Sequence, residues 1–340
     1  MCIRDSTVLV RKLIATICVL CISNFTIAET YKIAFGSCLD QDYPQPIWDS
    51  IKKENINSFV FLGDNVYGDV PSGNLIKMKD AYKKQKEMLP KWLYEKDVNV
   101  IWDDHDFGIN DGGSSYPLKK EAQKLYLDFW NISSNDIRRS REGIYTNKII
   151  QSDNFKINLI LLDTRYFRSD LEQTKGIRPK YIQNDNLDAT VLGDKQWLWL
   201  GKTLKADADL IIIATSIQLL ATNHRFEKWS NFPNEHKRLK KLLNSSSVPV
   251  LIISGDRHQG AIYEENNLIE ITSSSLNKTI SSLSLNSRPK ESDDLMIGDM
   301  FSGENFGLIT VDTNKKSYNC LLYTSPSPRD QRGSRMPSSA

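Results

Sequence analysis

For its length the chain has little glycine or proline, 17 and 12 in 340 residues, and almost no net charge, 44 Lys and Arg against 42 Asp and Glu. With 40% hydrophobic residues, the first shortage excludes a collagen-like, low-complexity or wholly disordered chain. The charge balance removes the electrostatic case for a nucleic-acid or anionic-membrane partner. Neither GxGxxG nor GxxxxGK[ST] occurs, which disfavours nucleotide binding through a phosphate loop. GxSxG is missing too, which disfavours a serine-nucleophile hydrolase. No repeat and no Pro/Gly-rich linker divides the chain. Its length suits one large domain or two small ones.

The two ends read as foreign to the fold. Met1–Ser6 (MCIRDS) and Cys320–Ser325 (CLLYTS) back-translate to strings that are reverse complements over most of their length. They resemble the end of a transposon-based sequencing adapter read on opposite strands. Residues 1–6 and 320–340 are therefore expected to be adapter artefact, the latter disordered. Between residues 7 and 28, Arg11-Lys12 precede the apolar run Leu13–Ala28, and Thr26-Ile27-Ala28 offers a cleavage site before Glu29. That pattern predicts a secretory signal and a periplasmic or secreted protein, with no membrane span after cleavage. Setting aside 1–28 and 320–340 lowers Lys and Arg from 44 to 38 and Asp and Glu from 42 to 40. Of five cysteines one remains, Cys38, too few for a disulfide framework. It is either a buried passenger or a working ligand.

From Glu29 to Asn319, short apolar runs each end in a polar cluster. Tyr31–Phe35 leads into GSC, Ser58–Leu62 into GDNVYGD, and Asn99–Trp102 into DDHDFGIND. Ile157–Leu162 leads into DTRYFR, Leu210–Ala214 into TSIQLL, and Val248–Ile253 into SGDRH. Apolar residues at successive positions are the mark of strands buried on both faces. Helical patterns alternate with them at Pro46–Glu54, Leu75–Leu89, Lys119–Phe129, Asp194–Lys205 and Asn234–Asn244, and a hairpin closes the chain at Phe306–Asp312 and Lys316–Asn319. The alternation predicts an α/β fold whose ligands gather at the carboxyl ends of the strands.

The clusters hold Cys38, Asp64, Tyr67, Asp103, Asp104, His105, Asp106, Asn110, Asp256 and His258. Thiolate and phenolate suit trivalent iron, and carboxylates and amides suit a divalent oxygen-loving ion. Two ions sharing a carboxylate would clamp both oxygens of an in-line phosphoryl displacement, with a metal-activated hydroxide as nucleophile.

These motifs, with GDKQWLWL at Gly193–Leu200 and HRFEKWSNFP at His224–Pro233, resemble the alkaline phosphatase D family of metallophosphoesterases, in that family's order, over roughly Tyr31 to Asp312. The resemblance implies a four-layer α/β/β/α sandwich of two facing mixed sheets in a single domain, 29–319. It implies an Fe³⁺ site of Cys38, Asp64, Tyr67 and Asp256 or His258, with Asp64 bridging to a second ion. That ion, Ca²⁺ or another divalent ion such as Mn²⁺, Zn²⁺ or Mg²⁺, would be completed by Asp104 or Asn110 and the SGDRH segment. His105 would stabilise the transition state and protonate the leaving oxygen, with Asp106 orienting it.

Around this set, Asp103 either caps the following turn or supports the site. Arg165 either pairs with a structural carboxylate or, as a fork donor near the site, holds a phosphate oxygen, and His224 is either a distal metal or substrate residue or a surface histidine. Trp229 is expected to pack and His236 to be solvated. The function implied is hydrolysis of phosphate mono- or diesters, on small molecules or on lipid or cell-wall polymers, by a monomer. A secreted binding protein with a merely structural metal is the rival from another class, and it would have no use for His105 and Asp106.

Overall fold

The computed structural model describes residues 30–176, 180–280 and 291–324. The expectations for 1–6, 7–28 and 325–340 lie outside the described residues. Among the described residues no helix is long and apolar enough to cross a membrane.

The apolar runs form the strands of two sheets. One sheet contains β1 (Thr30–Gly36), β2 (Ser58–Leu62), β3 (Asp97–Ile101), β13 (Asn305–Asp312) and β14 (Ser317–Thr324), in the order β14-β13-β1-β2-β3. The other contains β4 (Thr146–Ser152), β5 (Phe155–Leu161), β8 (Leu210–Ala214), β9 (Val250–Ser254), β10 (Gly260–Glu265), β11 (Leu268–Ser273) and β12 (Met296–Phe301), in the order β12-β10-β11-β9-β8-β5-β4. A two-stranded hairpin, β6 (Glu172–Gln173) and β7 (Tyr181–Ile182), stands apart. The pairs β1–β2, β2–β3, β5–β8, β8–β9 and β9–β11 are parallel, so each sheet presents a row of carboxyl ends on one side.

The sheets face each other. Ile33, Phe35, Val60 and Leu62 of the first pack on Leu159, Ile212, Leu251 and Ile253 of the second, all buried. Every residue of β2, β8 and β9 is buried because the outer faces are covered as well. Helices α1 (Ile47–Lys53), α2 (Ile76–Met88) and α4 (Lys119–Phe129) cover the first sheet, where Trp48, Phe59, Phe61 and Tyr126 form the core. Helices α5 (Gly193–Thr203) and α6 (Pro233–Asn244) cover the second through Trp197, Leu200, Leu239 and Leu243. The architecture is the expected α/β/β/α sandwich.

Two local expectations are corrected. The closing strand does not stop at Asn319: β14 pairs with β13 through Cys320, which lies opposite Ile309 and is buried, to Tyr323, which stacks on Phe306 at 4.9 Å. Once the turn sets the register, alternate residues must enter the core. His236 is not solvated but bonded through Nε2 to the Leu219 carbonyl at 2.8 Å, and burial depresses its pKa to about 4. The polar cluster after β3 opens with a four-residue helix, α3 (Asp104–Phe107), with Asp103 at its N-cap. Trp229 packs as expected, fully buried with Nε1 on Thr215 Oγ1 at 3.0 Å.

The carboxyl ends of the two sheets touch at glycines. A Cβ on Gly255 would sit 2.6 Å from Ser37 Oγ and 2.9 Å from the Leu62 carbonyl. Gly63 has φ +98°, and a Cβ there would lie 2.4 Å from Asp103 Cβ and 2.6 Å from the Asp103 nitrogen. The second obstacle is backbone and cannot swing away. Gly63→Ala is expected to cost about 2–4 kcal/mol, through strain and overpacking together, read as a lowered melting temperature.

Candidate metal centre

Side chains converge where the carboxyl ends of β1, β2, β3 and β9 meet. Cys38, Asp64, Asp111, Asp256 and His258 all have positive φ, between 51° and 69°. Non-glycine residues rarely adopt that conformation, and its concentration at strand ends marks a functional constriction. Hydrogen bonds hold the turns in place. Leu39 N donates to the Asp64 carbonyl at 2.9 Å, Ser37 N to Ser273 at 3.1 Å, and His258 N to Ser274 Oγ at 2.9 Å.

Two sets of donors share Asp64. Cys38, Asp64 and His258 offer ligand atoms within 4.8 Å of one another, and so do Asp64, Asp104 and His105. The Tyr67 hydroxyl donates to Asp64 Oδ2 at 3.0 Å, and Cys38 Sγ lies 3.5 Å from the same oxygen. His258 Nδ1 meets the Lys278 carbonyl at 2.8 Å. A carbonyl only accepts, so Nδ1 carries the proton and Nε2 keeps its lone pair. A third set, Asp103, Asp104 and Asp256, lies alongside under the same distance limit.

The electrostatics show what such a set lacks. Burial pushes the Asp64 and Asp256 carboxyls well above the usual carboxylate range, Asp103 to about 7 and Asp111 to about 6. Burial also opposes ionisation of Asp104, yet His105 and Arg165 draw it well below that range. His105 is held up at about 11: burial disfavours its charge, but Asp104, Asp64 and Asp69 outweigh it. Buried carboxylates that resist ionising beside soft and oxygen donors fit a cation site, because a bound ion supplies the missing positive charge. The thiol, phenol, imidazole and shared carboxylate suit a trivalent or borderline ion, and the carboxylates a hard divalent one.

Several expected roles fall to other residues. Asp106 does not orient His105. Its Oδ1 accepts from Asp103 N at 2.6 Å and its Oδ2 from Asn65 N at 3.2 Å and from the Asn65 amide, so it caps α3 and ties it to the β2 turn. The partner of His105 is Asp69, Oδ1 to Nδ1 at 2.7 Å. Asn110 is exposed and its amide donates to Asp111 Oδ2 at 2.6 Å, while Asp111 N donates to Asp104 Oδ2 at 2.7 Å. A short loop can turn only one of two neighbours inward, and here it is the Asp111 backbone.

Arg165 is no phosphate fork. It is fully buried, with Nε on Asp103 Oδ1 at 2.6 Å and Nη1 on Glu227 Oε2 at 2.5 Å. Arg168 reaches the other oxygen of Glu227 at 2.8 Å, and Ser216 Oγ donates to Asp103 Oδ1 at 2.6 Å. This buried network backs the carboxylates from behind, so Asp103 has the supporting role while also standing at the N-cap of α3. His224 stands outside the three donor sets, beside Arg257 and Lys228, and its Nδ1 accepts from Phe226 N at 3.3 Å. Asp69 and Glu227 went unnoticed in the sequence. Asp69 closes the GDNVYGD motif and could have been found there, whereas Glu227, inside HRFEKW, carries no signal of pairing with Arg165.

A sandwich of two facing mixed sheets, with carboxylates and histidines clustered at the shared carboxyl ends, defines a phosphoesterase-type α/β fold. The profile of the PhoD-like phosphatases matches residues 81–320, and the chain belongs to that family. It is 25% identical over 279 residues to alkaline phosphatase D of Bacillus subtilis (strain 168), covering 66% of this chain but 45% of that protein, so the chain spans under half its relative's length. A solved structure of PhoD superposes with a TM-score of 0.65 at 16% identity, over 92% of this chain and 72% of that one. The structure described as GAP50, the anchor in the inner membrane complex of Plasmodium, superposes at 0.61 and 16% identity, over 92% and 90%. At such identities the likeness concerns the fold alone, and the site must carry the function.

Proposed function

We propose that the chain is an exported, binuclear metal-dependent phosphoesterase that hydrolyses phosphate mono- or diesters. The observation that carries this reading is Asp64, which is grouped with Cys38 and His258 on one side and with Asp104 on the other, where His105 stands beside the two carboxylates. We assign Fe³⁺ to the set with Cys38 and Tyr67, and Ca²⁺ or a similar divalent ion to the carboxylate-rich side. When bound, the ions would supply Lewis-acid polarisation of the phosphoryl oxygens and lower the pKa of a water.

The rest is done by this chain's own residues. Asp64, presented from a turn with φ 51°, would be the carboxylate common to both ions. His105, held by Asp69 through Nδ1, has Nε2 left to protonate the departing oxygen. Arg165, held by Asp103 and Glu227, sets a positive charge near Asp104 and Asp256 from the dry side. Export rests on Arg11-Lys12 and the apolar run Leu13–Ala28.

Hydrolysis of bis-p-nitrophenyl phosphate by the purified chain, with and without chelator, tests the reading. Chelator-sensitive turnover, restored by added metal, is the expected outcome. Failure to hydrolyse either this diester or p-nitrophenyl phosphate, in protein holding two metal equivalents, would overturn it. In the iron-loaded protein, Cys38→Ala is expected to shift or bleach the phenolate-to-iron absorption band. An unchanged spectrum and metal content would make Cys38 a passenger.

A further inference from the structure

A second concentration of charge lies on the other side of the Asp163–Arg168 turn. Arg165 points from that turn to Asp103, while the next residue, Tyr166, lines a cavity of about 300 Å³. The cavity is bounded by α4 and by residues 138–142, and its charged lining is almost wholly basic: Lys120, Lys124, Arg138, Arg139 and Arg141 against Glu142.

Of these cations two are neutralised. Arg138 makes a bidentate pair with Asp136, at 2.9 and 2.8 Å, and Arg139 pairs with Asp128. Glu142 is engaged by Lys195 at 3.1 Å. Arg141 is different. Its guanidinium lies 3.6 Å over the Tyr145 ring, and its Nε and Nη2 are buried with no hydrogen-bond partner among the described residues. Leaving charged donors buried and unmade is costly, so such groups mark where an acceptor belongs. Burial and the neighbouring Arg138 already work against its charge.

The wall is firm. Gln123 of α4 donates to the carbonyls of Arg138 and Arg141 at 2.7 and 2.8 Å and accepts from Gly143 N at 3.0 Å, which pins the arginine segment to the helix. A planar fork flanked by lysines on a fixed wall matches the tetrahedral, multiply charged oxygens of a phosphate group.

We propose that this cavity is a second oxyanion site that takes a phosphate group, with Arg141 as its fork and Lys120 and Lys124 as its flanking charges. Two sources share that chemistry: free inorganic phosphate, and a phosphate group of a phosphodiester polymer. The second source rests on the phosphoesterase reading; the site itself does not.

Calorimetric titration of the metal-loaded full chain with inorganic phosphate tests the site without turnover. Two binding events are expected in the native chain and one in Arg141→Met. Lys124→Met, on an exposed helix face where folding is not at risk, should weaken the same event. Identical titrations for all three proteins would overturn the proposal.

The source is then read kinetically. With a synthetic poly(glycerol phosphate), Arg141→Met should raise KM about tenfold at unchanged kcat, the size expected for one lost charge-assisted bond, and leave bis-p-nitrophenyl phosphate unaffected. If the second phosphate event is lost but KM for the polymer stays put, the site takes free phosphate and the polymer assignment fails. If no ester is hydrolysed, the phosphoesterase reading fails while the titration still decides the site.

Discussion

Asp64→Asn is expected to abolish hydrolysis and strip at least one metal from the protein. The effect should well exceed the roughly 10²–10³-fold cost of losing one transition-state donor, because a shared carboxylate serves both donor sets. Its Oδ2 lies near Tyr67 and Cys38 while its Oδ1 faces the His105 amide at 3.4 Å, so one change alters both sides at once. An asparagine keeps the shape, loses the charge and offers one oxygen in place of two. Metal analysis and turnover together check it. Near-native activity with both metals retained would end the bridging role.

The second large effect concerns the acid. His105→Ala should lower turnover by roughly 10²–10⁴ while metal stays bound, the usual range for a positioned proton donor. The structure then separates two carboxylates that the motif cannot. Asp69→Asn, which removes the charge on Nδ1, should cost roughly 10–100-fold, as outer partners of active histidines do. It should also move the alkaline limb of the pH–rate profile to lower pH, because a carboxylate favours the imidazolium and its loss lowers the histidine pKa. Asp106→Asn should instead lower the melting temperature, since its oxygens cap α3 and bond Asn65. Were Asp106→Asn to shift the alkaline limb and Asp69→Asn leave it alone, the orienting role would return to Asp106.

The divergence between expected and observed roles has a consistent physical cause. Strand runs such as Ser58–Leu62 and Leu210–Ala214 were legible to the residue, because burial on both faces leaves an unbroken apolar string. Cys38, Asp64, Tyr67, Asp104 and His258, which the resemblance implied as ligands, do come together, and each follows a strand end within a few residues. Arg165 and Asn110 face elsewhere than expected because a polar residue near a strand end can face the site, its supporting layer or solvent with the same sequence. Arg165 faces backwards because Asp103 and Glu227, 62 residues to either side, wait there as buried counter-charges.

The two-sheet sandwich came from resemblance to a known family, while the sequence by itself determined the α/β class, the strand ends that carry the polar clusters, and the donor types those clusters hold. These are properties of apolar periodicity and of motifs a few residues long. Only the tertiary structure decided that Asp69 rather than Asp106 holds His105, that Arg165 is a buried strut, that β14 runs on to Thr324, and that Arg141 is left with unpaired donors. Each of these depends on which distant segment fills the space beside a side chain. The packing of two sheets and their helices settles that, and no local pattern encodes it.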